Sequence, residues 1–185
     1  MTVTVKKSGF FDKETISNYV ETKKESSPQP QSDIVINEFL PDPIGNECIS
    51  TGIYGEWVEI YNKGANPVDL DEWYIKDETG NTITISSSNT HTGLTTIGAQ
   101  GSGSEWLVVF MNRCIFNNTE GDTVYLYDQS DQLIDSYSYT GATVENKSYA
   151  RYPDGSEDWY DPIPTPGAPN VLENNFINSY QQNKI

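Results

Sequence analysis

From Asp33 to Asn170, apolar positions alternate with polar ones or gather in short runs. Gly, Pro, Asn and Asp interrupt them at roughly 8–12-residue intervals. "DIVINEFL" is β-branched and is broken by "PDPIGN". "EWVEIYN" alternates and stops at "KGANP". "VDLDEWYIKD" and "NTITIS" read as two strands around a "DETG" turn. "EWLVVFM" is continuously apolar, the pattern of a strand covered on both faces. "DTVYLYD" and "QLIDSYSY" flank "QS" as a hairpin, and "SYARY" closes the series before "PDG". No segment here holds a helical period. The pattern predicts an all-β, antiparallel sandwich of about seven to nine strands.

The flanks differ. "KKESSPQPQSD" is a polar, Pro/Ser-rich linker, preceded by Ile16, Tyr19 and Val20 at the spacing of a short helix. Beyond Asn170, Leu172, Phe176, Ile177 and Tyr180 share one helical face, so the tail reads as an amphipathic helix or as an irregular end. The expected division is a flexible segment 1–32, a β-domain 33–170 and a tail 171–185. A monomer is expected, with the tail stripe as the route to any oligomer.

Charge narrows the partners. The chain carries 11 Lys+Arg against 27 Asp+Glu, and residues 33–170 hold five basic and 22 acidic residues. Such a field repels phosphate backbones and argues against nucleic-acid binding by the core. It suits solubility or a basic partner. No apolar run reaches the roughly 18 residues of a membrane-spanning helix. The N-terminus lacks the apolar core of a secretory signal. The chain is therefore either cytosolic or a segment of a longer exported protein.

Candidate chemistry is sparse. Glu56 and Glu59 surround Trp57 but lie three apart on a strand, so they face opposite ways and cannot share a substrate. A retaining glycosidase needs carboxyls about 5 Å apart, brought from separate strands or loops. The single histidine, His91, sits in "SSSNTHTG" without a G-x-S-x-G and reads as an exposed loop residue. Trp57, Trp73, Trp106 and Trp159 read as core or half-buried sheet residues, with sugar-stacking platforms as the alternative. No catalytic or cofactor-binding residue is assigned. Asp42, Glu47, Asp69 and Asp71, in "PDPIGNE" and "DLDE", are the candidate ligands for calcium, the one cofactor the pattern raises; turn chemistry is the competing reading. Strand parity places Cys48 and Cys114 at the same end of the sandwich. They are the disulfide candidates in an oxidising compartment, against two free thiols.

The order of motifs resembles the lamin tail domain family, an immunoglobulin-like module. "IVINEFLPDP", "GEWVEIYNKGANPVDLDEWYIKD", "NNTEGDTVYLYDQSDQLIDSYSY" and "SYARYPDGSEDWYDPIPTPGAPN" carry the resemblance across about residues 33–170. Three features depart from the family pattern: Ser86 to Ser104 reads as a long Ser/Thr/Gly-rich loop, and two turns differ. Glu72 precedes Trp73 where a glycine is usual, and Asp131-Gln132 stand where the hairpin usually closes with glycine. No heptads precede the domain, so a filament rod is not expected. The resemblance implies an immunoglobulin-like sandwich without an active site. It implies a structural or protein-interaction module, extracellular or at the cell surface as part of a larger protein. A calcium-dependent adhesion or ligand-binding domain is the alternative, and a carboxylate hydrolase the third reading. Asn37, Asp122 and Asp154 are expected to bond their own turn backbones.

Overall fold

The computed structural model describes residues 32–46, 48–141, 143–161 and 163–172. The expected N-terminal helix and linker, and the tail stripe beyond Leu172, lie outside the described residues. So does the end-to-end extent of the three expected divisions.

Among the described residues eleven strands follow in order: β1 (Ile34–Leu40), β2 (Trp57–Asn62), β3 (Val68–Asp69), β4 (Tyr74–Lys76), β5 (Thr82–Thr84), β6 (Thr96–Ile97), β7 (Trp106–Phe110), β8 (Gly121–Tyr127), β9 (Leu133–Thr140), β10 (Tyr149–Arg151) and β11 (Trp159–Tyr160). All pair antiparallel. A five-stranded sheet has the order β11-β10-β1-β2-β7, and a four-stranded sheet β5-β4-β8-β9; β3 and β6 form a separate pair. The only helical element among the described residues is a 3-10 turn at Gly52–Tyr54.

The core lies between the two larger sheets. Strand alternation explains its membership. Ile34, Ile36, Val58, Ile60, Leu107 and Val109 point in from the first sheet, and Ile75, Val124 and Leu126 from the second. Phe39 is fully buried, with Phe116, Tyr137, Tyr139, Tyr149 and Trp159 around it at ring-centroid distances of 5.2–6.1 Å. A core of this kind is held by aromatic contact area as much as by aliphatic packing.

Several expectations need correction. "VDLDEWYIKD" is two strands, not one. The chain turns at Glu72, whose φ is 63°, and Trp73 N–H donates to Leu70 O. The expected strand count of about seven to nine is roughly met: β3, β6 and β11, which raise it to eleven, are two-residue pairings too short to leave an alternating pattern. The β8–β9 turn spans residues 128–132, longer than "QS". Asp128 Oδ1 accepts from Ser130 N–H and Gln132 N–H, closing with a carboxylate a hairpin that the family pattern usually closes with glycine. The segment 86–104 is no open loop. It carries β6, and Thr90 bridges to Val109.

Candidate functional site

The outer face of the five-stranded sheet should be polar if it met water. It is instead buried. Opposite Leu40 on β1 stand Trp57 on β2 and Phe110 on β7. Beside them Glu38, Glu59 and Val108 form a second cross-strand row. Leu40, Trp57 and Val108 make an apolar cluster of their own, flanked by Phe110. The opposite-face reading of Glu56 and Glu59 fits their partners. Glu56 accepts from Ile115 N–H at 2.7 Å and Phe116 N–H at 3.2 Å. Glu59 turns to the outer face. Both are wholly buried.

The closing segment, residues 163–170, lies over the Glu38–Glu59 row of this face. A bulge in β1 between Ile36 and Glu38 breaks the alternation and turns Asn37 and Glu38 toward it. Glu38 accepts from Ser148 Oγ–H at 2.5 Å, Thr165 N–H at 3.1 Å and Thr165 Oγ1–H at 3.0 Å. Glu59 accepts from Gly167 N–H at 2.6 Å and Asn37 Nδ2–H at 2.9 Å. Asp154 joins from the β10–β11 turn. It accepts from Asn37 Nδ2–H, Trp106 Nε1–H and Asn170 N–H at 3.1, 3.2 and 3.0 Å. Asn37 Oδ1 accepts from Gly155 N–H, and Asn170 Nδ2 donates to Asn37 O and Arg151 O. Asn37 and Asp154 therefore join elements more than 100 residues apart instead of bonding their own turns. Asp122 likewise bonds outward to Glu78 N–H and Asn117 N–H, besides its neighbour Thr123 N–H. Gly155 has φ +70°, and a Cβ there would meet Lys63 Cγ at 2.8 Å, so only glycine closes this turn.

Burial, with neighbouring carboxylate charge added, raises the proton affinity of Glu38 and Glu59. Burial pushes Glu38 up to about 7, against the lowering effect of Ser148 and Thr165. Burial, and then the charge of Glu38, hold Glu59 well above the usual carboxylate range. Arg151 lies under the same turn. It donates to Ile36 O and Asp135 at 2.7 and 2.9 Å and sits 4.8 Å from the Trp159 ring centroid. Each polar group here bonds an element of the fold. The chemistry this arrangement performs is closure of the sandwich.

The calcium candidates that are described bond neighbouring protein groups or stand exposed. Asp42 accepts from Asn118 and Thr143, while Asp69 accepts from Thr95 Oγ1–H and Asp71 N–H. Asp71 is exposed, and Glu47 lies outside the described residues. Among the described residues no three Asp, Glu, His or Cys side chains group as metal ligands. His91 is exposed, yet anchored: its N–H donates to Val108 O, and Val108 N–H donates to its Nδ1. Partial burial lowers its pKa. Cys48 and Cys114 come together as a disulfide, with S–S 1.97 Å and Cα–Cα 4.4 Å. The bond ties the β1–β2 loop to the segment after β7. That loop exposes Ile44, Ile49, Ile53 and Tyr54 to 66, 78, 51 and 75 %.

The profile of the Lamin Tail Domain matches residues 27–141. The chain belongs to the lamin tail domain family. No curated protein and no solved structure matches it. Lamin tail domains are immunoglobulin-like, generally non-catalytic and of interaction type. The match stops at Gly141, short of the motif resemblance that runs to Asn170. β10, β11 and the closing segment thus lie past the matched region of this lamin tail domain. No helix among its described residues is long and apolar enough to cross a membrane.

Sequence reasoning missed the network of Asn37, Glu38, Glu59, Asp154, Thr165 and Asn170. Its partners are far apart in the chain, and only the Asn-Glu step inside an apolar strand hinted at it. It also passed over Tyr125 and Tyr127. Their two-residue spacing in "TVYLY" puts both on the outer face of the second sheet, which was readable from alternation alone.

Proposed function

We propose that this lamin tail domain is a non-catalytic attachment module of an exported or cell-surface protein, and that the β1–β2 loop is its contact. The observation that carries this reading is the exposure of Ile44, Ile49, Ile53 and Tyr54 on a loop tied down by Cys48–Cys114. Apolar side chains clustered at a surface mark interaction sites. A loop held in place loses little entropy on binding, which favours affinity. Further ties hold it: Gly52 N–H donates to Asn112 Oδ1, and Asn146 N–H donates to Asp42 O. A disulfide suits an oxidising compartment. The shifted carboxylates Glu38 and Glu59 support the non-catalytic part, since both are committed to the closing segment.

The test is fractionation of the source cells, with thiols alkylated before any reduction. The expected result is the protein in the surface or secreted fraction with neither cysteine alkylated. Ile49→Ser with Ile53→Ser should release it from the surface fraction while leaving its melt unchanged. A cytosolic protein carrying two alkyl groups, or a double variant still fully attached, would overturn the proposal.

A further inference from the structure

The outer face of the four-stranded sheet differs from everything around it. Alternation puts Thr82 and Thr84 of β5, Tyr74 and Lys76 of β4, Tyr125 and Tyr127 of β8, and Ser136 and Ser138 of β9 on one side. The hydroxyl residues of β5 and β9 are exposed, and the three tyrosines and Lys76 are half-buried. In a chain of formal charge −16 this face carries no carboxylate on those strand positions. Tyr74 and Tyr127 stack, with ring centroids 5.0 Å apart and planes 9° from parallel, and Tyr125 continues the ladder at 6.2 Å.

The carboxylates stand at its end. Tyr74 Oη–H donates to Asp131 Oδ1 at 3.0 Å, and the charges of Asp131 and Asp128 both act on Tyr74. Neither acid forms an ion pair with a lysine or arginine among the described residues. Tyr74, Lys76, Gly80, Thr82 and Thr84 also line a shallow groove. The ladder already holds one cation: Lys76 Nζ lies 6.0 Å from the Tyr127 centroid, the outer limit of a cation–π contact. Aromatic faces, an acidic end and a negative global field all select the same ligand chemistry. A planar guanidinium satisfies it best, because it stacks on a ring and bonds a carboxylate at its edge.

We infer that this tyrosine ladder docks an arginine-bearing segment of a protein partner. The guanidinium would stack on Tyr127 where Lys76 now reaches, and Asp128 and Asp131 would receive a second arginine. The inference rests on the reading of the chain as an interaction module, but it uses a surface separate from the β1–β2 loop.

The test uses the full chain and two dye-labelled, capped peptides of alternating residues, Gly-Arg and Gly-Lys, followed by fluorescence anisotropy at physiological salt. The arginine peptide should bind about fivefold more tightly than the lysine peptide. Tyr127→Ala should reduce its affinity to that of the lysine peptide. Tyr127→Phe, which keeps the ring, should retain the preference. Lys76→Ala should strengthen binding by clearing the ring. Equal affinity for the two peptides overturns the inference by reducing binding to charge alone. So does an arginine preference that survives Tyr127→Ala in a variant whose melt is intact. Concentration-dependent dimerisation in light scattering that Tyr127→Ala abolishes would assign the face to a second copy and overturn it too. Cell fractionation reads the loop and not this face, so either test can fail without the other.

Discussion

The two sheets of this sandwich have outer faces of opposite kind. That of the five-stranded sheet is apolar and acidic; Trp57, Glu38 and Glu59 on it are at most 1 % exposed, and residues 163–170 bond Glu38 and Glu59 directly. That of the four-stranded sheet carries tyrosines, threonines and serines, and no described segment covers it. The first face spends its backbone and side-chain donors on closing the fold. The second leaves aromatic surface over, which is the material of interfaces. In a fold that hosts many unrelated roles, this asymmetry says where to look for binding.

Truncating one aromatic on each face should separate the two most widely. Trp57→Ala should cost about 3–5 kcal/mol, because a fully buried ring leaves a cavity among Leu40, Val108 and Phe110. Tyr127→Ala should cost under about 1 kcal/mol, as half-exposed sheet positions do. Urea denaturation of both variants reads the difference. Equal losses would mean that the four-stranded face is as much a part of the fold as the covered one.

How far the two faces were readable from sequence follows from the range of the interactions. Alternation in "TVYLY" and "YIK" defines the open face with no knowledge of the rest of the chain. The covered face depends on Thr165 and Gly167 meeting Glu38 and Glu59 across more than 100 residues. Local pattern holds no trace of that meeting beyond the Asn37-Glu38 step in an apolar strand. Strand existence was legible for β1, β2, β7, β8 and β9, where four or more residues alternate or stay apolar. It was not legible for β3, β6 and β11, which two backbone pairings define. The bulge at Asn37 was hidden for the same reason: it looks like one more polar residue until its partner strand is known.

The carboxylates under the closing segment give a second, pH-dependent contrast. Folding raises Glu38 from 4.5 to about 7. The folded state therefore holds its proton more tightly than the unfolded chain. Stability from this group is fully present below about pH 4.5 and is lost as pH rises through about 7. The shift corresponds to a fall of up to about 3 kcal/mol across that window. Glu59, also raised, acts in the same direction. The groups facing Glu38 are Ser148 on the approach to β10, Thr165 on the closing segment, and the charges of Glu59 and Asp154. The thermal melt should be higher at pH 5 than at pH 8, and Glu38→Gln should flatten the difference. Self-repulsion of a −16 chain also grows with pH, so the variant, not the wild-type slope, decides. An unchanged slope in Glu38→Gln would remove Glu38 as its source.

The smallest effect concerns two turns bordering the open face. Glu72, in the turn between β3 and β4, has φ 63°, and Asp131 in the β8–β9 hairpin has φ 61°. These are the two places where the chain departs from the glycine usual in the lamin tail pattern. Left-handed backbone strains an L-residue by about 1–2 kcal/mol, and glycine relieves this at an entropic cost of roughly 0.5–1 kcal/mol. Glu72→Gly should therefore stabilise by about 0.5 kcal/mol. It keeps the N–H that donates to Ile85 O at 3.2 Å. Glu72→Gln serves as reference, because it removes the charge and keeps the side chain's strain. Asp131→Gly should gain less, since it gives up the 3.0 Å bond from Tyr74 Oη and leaves the end of the tyrosine ladder without its carboxylate. Chemical denaturation in parallel ranks the three. If Asp131→Gly proves the more stabilising of the two glycine variants, the Tyr74–Asp131 bond contributes nothing net, and Asp131 loses its place at the end of the docking face.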